Sequence, residues 1–297
     1  MSSPYIYIIV PVFNRKAIIE CFLICLGKQT FRDFTVIVVD DGSTDGTPAL
    51  IAEKFPDVHL LHGDGNLWWT GATNFGIRHA LTLAAADDAI LVINDDIEIG
   101  PDYLASLYRV WQATPRALIG SVVVDINDPE RIIDGGRLVN WWTAKTRVLH
   151  QGRRLSEFDE NHVVHVSLLT GWGTLLPVQV FSEVGLYDAA HFQQCGDTEL
   201  TVRAKNRGYN LIVSFAPVVE CHLDLTAGIN MSPQYTIRDL RTFFFNVKSN
   251  YRLKYRFFFA YNTATNPLAF VSFLACDMIR ISVHFFSRLR FTQAHGL

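Results

Sequence analysis

Acidic side chains stand directly behind apolar runs in this 297-residue chain. In "AILVINDDIEIG" (89–100) an aliphatic run leads into Asn94, Asp95 and Asp96, and in "DFTVIVVDDGSTDGT" (33–47) another leads into Asp40 and Asp41. Adjacent carboxylates repel and are costly to desolvate, so such pairs sit in water or on a cation. A few carboxylate oxygens completed by phosphate oxygens suit Mg2+ or Mn2+, which keep several waters. The chemistry suggested is the holding of a diphosphate through a divalent cation. The plainer readings are an Asx-type turn over Asp40–Ser43 that caps the next helix, and a strand-ending turn over "NDDIEIGP" with a solvated acid pair. A third acidic group, in "CGDTELTVRAKNRGY" (195–209), offers Asp197 and Glu199, which fit the first turn of a helix as readily as a cleft.

Such residues act together only if secondary structure brings them to one edge. "YIYIIVPVF" (5–13) is nearly continuous in apolar, β-branched and aromatic residues, the pattern of a strand buried on both faces. Helical spacing follows over 17–31 with a stop at Gly27, then the strand of 33–41, a short helix over 47–55 and a strand over 58–63. A helix over 71–84 and the strand of 89–95 complete the first half. This alternation predicts right-handed βαβ units and a doubly wound α/β unit with a parallel sheet. In open parallel sheets ligands bind beyond the carboxyl ends of the strands, where Asn14, Asp40, Asp41, Asn94, Asp95 and Asp96 all fall. No G-x-G-x-x-G follows the first strand and no G-x-x-x-x-G-K-[ST] occurs, which excludes a Gly-rich pyrophosphate turn. From about residue 117 the texture changes, with a strand in "ALIGSVVVD" and irregular or antiparallel structure in "DGGRLVNWWTAKTRVLHQGRRL".

Hydrophobic residues make up 49% of the chain and aromatics 12%, ample for a large core, and a net charge of -3 argues against nucleic-acid binding. Cys21, Cys25, Cys195, Cys221 and Cys276 are scattered, with no metal-ligand spacing, and read as reduced thiols in a cytosolic setting. The apolar stretch near the N-terminus is short and lacks a charged n-region, so it reads as a strand rather than a signal peptide. Residues 233–297 interleave basic residues with Phe, Tyr and Leu. Asp277, Arg280 and His284 within its last apolar segment disfavour a clean membrane span and suit amphipathic helices lying in the interface. The alternative is a helical subdomain packed on the rest of the chain or on a second subunit of a homo-oligomer.

Taken in order, "IIVPVFNR", "VIVVDDGSTDGT", "GNLWWTGATNFGI", "LVINDDIEI", "LTGWGTLLP", "VGLYD" and "CGDTELTVRAKNRGY" resemble the inverting glycosyltransferases of family 2, nearest their bacterial rhamnosyltransferase-like branch. The resemblance covers roughly residues 5–222. It implies the GT-A fold, an α/β architecture with a mainly parallel central sheet flanked by helices and a C-terminal helical segment. It implies a catalytic domain over 1–232, with a nucleotide-binding half (1–116) and an acceptor half (117–232), and a membrane-associating or oligomerising segment over 233–297. The implied reaction moves a sugar from a UDP- or dTDP-linked donor, dTDP-rhamnose included, to a hydroxyl of a glycan or lipid-linked acceptor in bacterial surface polysaccharide synthesis. The implied cofactor is Mn2+ or Mg2+, and the implied location is cytoplasmic, at the inner face of the membrane.

Carried over residue by residue, Pro11, Phe13 and Asn14 would line the nucleobase pocket. Asp41, with Asp40 beside it, would accept a base N–H such as uracil and thymine offer. Asn94, Asp95 and Asp96 fill the place of the DxD element, although its first Asp is here Asn94. Asp96 would bind the metal, Asp95 would sit next to it, and Asn94 would face ribose or phosphate. Asn66, Gly71, Asn74 and Gly76 match the loop and helix beside the donor sugar. Trp68, Trp69 and Thr70 stand where many relatives carry a basic residue, which leaves the helix N-terminus to donate N–H groups to the diphosphate and Trp69 to enter the pocket. Thr170, Gly171 and Trp172 would border the acceptor, with Trp172 stacking on a sugar face.

Asp197 aligns with the catalytic base that takes the acceptor hydroxyl's proton, although Gly196 replaces the acid that usually precedes it. Glu199 would support the helix start or the acceptor, and His222 lies where some relatives place a further metal or phosphate ligand. Two rivals stand beside this reading. A sugar-1-phosphate nucleotidyltransferase would want a Gly-rich basic loop that "VPVFNRKAII" lacks. A non-catalytic nucleotide-sugar or glycan-binding module would suit the altered Asn94 and Gly196.

Overall fold

The computed structural model describes residues 4–194, 196–222 and 234–289. Strands β1 (Ile6–Val12), β2 (Phe34–Asp40), β3 (His59–His62) and β4 (Ala89–Ile93) alternate with helices α1 (Lys16–Gly27), α2 (Thr47–Lys54) and α3 (Trp68–Leu81). Strand β1 runs parallel to both β2 and β4, and β2 parallel to β3, which gives the order β4-β1-β2-β3. The order reverses at β1, and this opens a crevice at the carboxyl ends of β1 and β4. The continuous apolar character of these strands is explained by burial on both faces. Ile6, Ile8 and Val10 join one core with Leu91 and Ile93, while Tyr7 and Ile9 join another with Ile90 and Val92. Helix α3 lies close on this sheet because Gly76 has no side chain: a Cβ there would come within 2.6 Å of Ile9 and 3.0 Å of Val39.

The chain continues through β5 (Ile97–Ile99), α4 (Tyr103–Ala113), β6 (Ala117–Asp125), β7 (Asp128–Asp134), β8 (Arg137–Asn140), β9 (Lys145–Val148) and β10 (Val163–His165). It then forms β11 (Trp172–Pro177), α5 (Gln179–Val184), α6 (Asp197–Asn206) and β12 (Asn210–Cys221). Strand β11 enters antiparallel between β4 and β6, and β12 pairs parallel with β6. The central sheet is thus mixed, in the order β10-β12-β6-β11-β4-β1-β2-β3. Strands β8 and β9 form a separate two-stranded sheet. The long strand β12 is hidden in the sequence by Pro217, which cannot donate to a ladder. The register of β12 against β6 shifts between Ser214 and Val218, and the proline sits in that irregularity.

The described residues divide into two compact units, 4–138 with 147–222, and 139–146 with 234–289. The second contains α7 (Asp239–Phe245), α8 (Leu253–Thr263) and α9 (Pro267–Ser287) around a core of Tyr235, Phe243, Phe244, Ile281 and Phe285. Trp141 from the strand connection packs on Phe259 and Phe273 within this unit, with ring centroids 6.2 and 5.5 Å away. Asn266 caps α9 by accepting the Ala269 N–H at 2.8 Å. Helix α9 is long and apolar enough to cross a membrane. Its inward face nevertheless buries Asp277, which is paired with Arg256 of α8 at 3.5 Å and with Arg280 at 2.5 Å.

Candidate active site

The loops that follow β1 and β2 are stitched to each other. The Asn14 N–H donates to Ser43 Oγ at 2.7 Å, the Thr44 N–H to Asn14 Oδ1 at 2.8 Å, and the Lys16 N–H to Asp45 Oδ2 at 2.9 Å. Asn14 adopts a left-handed φ of 51° to do so, a conformation that Asn tolerates better than most side chains. Pro11 is half-buried in β1, and Phe13 and Asn14 are exposed on the rim, Phe13 at 53%. Asp40 is buried. Its Oδ2 accepts the Ser43 N–H at 3.2 Å, the Asx-type turn in fact, and its Oδ1 has no partner.

Asp41 organises the next loop. Its Oδ1 accepts the Gly65 and Leu67 N–H groups at 2.9 and 3.2 Å, and its Oδ2 accepts the Trp68 N–H at 2.9 Å. A carboxylate offers about four acceptor positions, so about one is left for a base. The same bonds start α3 at Trp68, three residues ahead of the expected Gly71, with Trp68 itself at a φ of 57°. The helix start expected to donate N–H groups to a diphosphate has most of that capacity spent within the chain. A carboxylate of the chain already occupies the anion's place, and the Thr70 N–H goes to the Gln193 carbonyl at 3.2 Å. Exposed Asn66 turns back on Asp64, its N–H donating at 2.9 Å. Gly71 lets Leu67 approach: a Cβ there would lie 3.3 Å from the Leu67 Cβ.

Asp95 and Asp96 at the end of β4 are both buried, and the cation on them is Arg15. Its Nη1 lies 2.8 Å from Asp95 Oδ1 and 3.2 Å from Asp96 Oδ2. Burial pushes the Asp95 carboxyl up to about 6, with Arg15 opposing the shift and Asp96 adding to it. Asp95 Oδ2 and Asp96 Oδ1 remain buried without a partner. Two unpartnered carboxylate oxygens fit Mg2+ or Mn2+, which bind through one or two carboxylates plus substrate phosphates. Among the described residues no three His, Cys, Asp or Glu side chains form a ready metal cage. His222 directly follows Cys221, which pairs with Ile97 at the end of β12, and so stands beside the end of the acid pair, with its Nε2 3.5 Å from Glu98.

Asn94 and Trp69 meet each other. The Trp69 Nε1–H donates to Asn94 Oδ1 at 2.9 Å, and the indole stands edge-on to Tyr187 at 5.9 Å. The far rim of the same indole reaches the second half of the chain, where a Cβ on Gly171 would lie 3.1 Å from it and 3.6 Å from Asp197 Oδ2. The Gly171 N–H donates to Asp197 Oδ2 at 2.7 Å. Asp197 opens α6, and burial pushes its carboxyl above the usual range, against the pull of the Gly171 and Thr198 N–H groups and Arg137. Gly196 has a steric cause, since a Cβ there would meet Thr70 Oγ1 at 2.7 Å. Thr170 and Trp172 line a cleft with Asp134 and Arg137. The Arg137 guanidinium lies 5.9 Å from the Trp172 ring centre, and its Nε donates to Asp134 Oδ2 at 2.6 Å.

Two further residues are taken up by contacts within the chain. Asn74 is buried, and both ends of its amide are taken by the Tyr187 backbone, at 2.8 and 3.1 Å, so it ties α3 to the loop after α5 instead of touching a donor. Glu199 is 0% exposed and bound to Arg203 at 2.6 and 3.0 Å, so of its two expected roles the geometry is that of support for the start of α6. Arg203 in turn donates to the Val184 and Leu186 carbonyls. Sequence reasoning missed Arg15 and Arg137. Arg15 stands beside Asn14 in the quoted "IIVPVFNR", and an unpaired acid pair one strand away was a signal that a nearby cation would be drawn to it.

Solved structures with the same architecture are glycosyltransferases of the GT-A fold. A mannosyltransferase from Pyrobaculum calidifontis in complex with GDP-Man and Mn2+ superposes with a TM-score of 0.58 at 18% identity, covering 92% of this chain and 69% of that one. GalNAc-T7 with UDP, GalNAc and Mn2+ gives a TM-score of 0.59 at 13% identity over 73% of this chain and 44% of that one. The profile of glycosyl transferase family 2 matches residues 7–170, and the chain belongs to that family. It is 29% identical over 209 residues to the N-acetylglucosaminyl-diphospho-decaprenol L-rhamnosyltransferase of Mycobacterium tuberculosis, covering 64% of this chain and 67% of that protein.

Asp41 carries a clear expectation. Asp41→Ala removes charged acceptors worth about 2 kcal/mol or more to the loop, and amide hydrogen exchange at Gly65, Leu67 and Trp68 is expected to speed by about thirtyfold. Unchanged exchange at these three amides would contradict the anchoring role.

Proposed function

We propose that the chain is an inverting glycosyltransferase that uses Asp197 as general base and takes a UDP- or dTDP-sugar, dTDP-rhamnose included, with a glycan or lipid-linked hydroxyl as acceptor. The observation that carries this reading is the single indole of Trp69. It joins the end of β4, through Asn94, to Gly171, whose N–H holds Asp197. Donor-side and base-side residues are thereby neighbours across one ring, as a direct displacement requires. The two departures that favoured a non-catalytic module have packing reasons: Asn94 accepts the Trp69 N–H, and Gly196 avoids Thr70.

In this mechanism the nucleobase lies on the stitched loops of Pro11, Phe13 and Asn14, with Asp40 and the remaining acceptor position of Asp41 toward its N–H. The diphosphate faces Asp95 and Asp96, which would hold a divalent cation. When bound, Mn2+ or Mg2+ offsets charge that grows on the leaving nucleoside diphosphate. Trp69 and Trp172 present apolar faces to sugar rings, and Thr170 and Gly171 border the acceptor. Asp197 takes the acceptor hydroxyl's proton while its oxygen attacks the anomeric carbon opposite the leaving group. A base whose carboxyl is raised by burial accepts a proton more readily at neutral pH.

Membrane contact belongs to the same reading. Leu268, Val271, Ile279, Val283 and Phe286 of α9 are each about 60% exposed. Residues 233–297 carry nine Lys or Arg against two Asp, in a chain whose net charge is -3. This combination suits a helix lying in the headgroup region of an anionic bilayer, with basic residues toward the headgroups. Burial of Asp277 against Arg256 and Arg280 favours lying over spanning.

Replacing Asp197 by Asn tests the base. Turnover is expected to fall by about 10²–10⁴-fold, while calorimetric dTDP or UDP binding stays as in the wild type. The wild-type kcat/KM should rise with pH through a pKa above the ordinary aspartate value of about 3.9, because the base acts only when deprotonated. Retained turnover in Asp197→Asn would remove it from the mechanism. For the membrane, flotation with phosphatidylglycerol vesicles is expected, with loss in Ile279→Asp/Val283→Asp and at high salt. Equal flotation with neutral phosphatidylcholine vesicles would contradict the anionic-surface reading.

A further inference from the structure

Arg15 and the acid pair are mismatched. One Nη1 is shared between two carboxylates at 2.8 and 3.2 Å, so a single positive charge faces two negative ones. The other oxygen of each acid, Asp95 Oδ2 and Asp96 Oδ1, is buried and unpartnered. The guanidinium leaves these two oxygens unmet, and a dication held by either acid would bring the second positive charge that the pair lacks. It would then stand within a few ångströms of Arg15, and like charges so close in a partly buried cleft repel strongly.

We propose that Arg15 is the resident cation of this cleft: it offsets part of the charge of Asp95 and Asp96 while no metal is bound, and moves to the donor's diphosphate when a divalent cation takes the acids. Metal and nucleoside diphosphate then load together. This deepens the donor-site reading and rests on it. The Arg15 side chain is 26% exposed where the acids are 3% and 4%, so it lies on the solvent side of the pair. It also follows the exposed Phe13 and Asn14 on a surface loop, which gives the guanidinium room to swing. At the start of α3 the Leu67 and Trp68 N–H groups are taken by Asp41 and that of Thr70 by Gln193, and its first side chains are Trp68, Trp69 and Thr70. A cation that trades carboxylates for phosphate oxygens keeps its charge paired at every stage, and guanidinium geometry suits both partners.

The test is Mn2+ binding, followed by calorimetry and by the electron paramagnetic resonance of free Mn2+, for the wild type, Arg15→Gln and Arg15→Lys. Each is measured alone, with dTDP or UDP, and with dTMP or UMP. Without nucleotide, Arg15→Gln should bind Mn2+ at least tenfold tighter than the wild type, and Arg15→Lys should stay near the wild type. In the wild type a diphosphate should tighten Mn2+ by tenfold or more and a monophosphate by little. By the reciprocity of linked sites the diphosphate effect should shrink in Arg15→Gln. Equal or weaker Mn2+ binding by Arg15→Gln, with Mn2+ and dTDP or UDP still binding together to the wild type, overturns the role of Arg15 and leaves the donor site standing. Absence of Mn2+ binding by the wild type even with both diphosphates overturns both. If Arg15→Gln does not fold, the wild type decides: equal tightening by mono- and diphosphates overturns the proposal.

Discussion

A carboxylate taken out of water must be compensated, and the arrangement of this cleft follows from how each buried acid meets that demand. Asp41 meets it with three backbone N–H groups and thereby builds the 65–68 loop and the start of α3. Asp197 meets it with the Gly171 N–H and a helix start. Asp95 and Asp96 meet it only in part, through one shared guanidinium, and keep two unpartnered oxygens. This incompletely compensated pair stands where the strand order reverses, between β1 and β4, and Asp40 at the end of β2 likewise keeps a buried Oδ1 without a partner. Full compensation makes structure; partial compensation leaves a place for a ligand.

The two halves of the chain are joined at this place by side chains as well as by the β11–β4 ladder. Trp69 lies across the space between Asn94 and Gly171, and Asn74 clamps the Tyr187 backbone from the same helix. The small residues follow from this proximity. Gly171 and Gly196 each sit where a Cβ would press on a residue of α3, Trp69 in one case and Thr70 in the other. The Gly196 position, which in sequence looks like a lost acid, is in space a packing requirement.

The first half of the fold was legible because parallel strands buried on both faces have a continuous apolar signature, and β2 and β4 lead directly into polar residues, as β1 does one residue later, after Phe13. Glycosyl transferase family 2, matched over residues 7–170, was legible in the ordered motifs. Partner choice was not. Whether Asp41 faces a base or a loop, whether Asn74 and Glu199 reach the cleft, and which cation sits on Asp95 all depend on contacts more than twenty residues apart in sequence or on burial, which spacing does not encode. Strand β12 was missed for a local reason, because Pro217 argues against a strand unless a register irregularity accommodates it.

The most direct measurement is a crystal structure grown with dTDP or UDP and Mn2+, using the anomalous signal of manganese to locate the ion. The account predicts a nucleotide across the ends of β1 and β2 and a manganese peak about 2.1 Å from a carboxylate oxygen of Asp95 or Asp96, with Arg15 withdrawn from the pair. A bound nucleotide whose manganese lies away from both acids, or a nucleotide at another edge of the sheet, would contradict it.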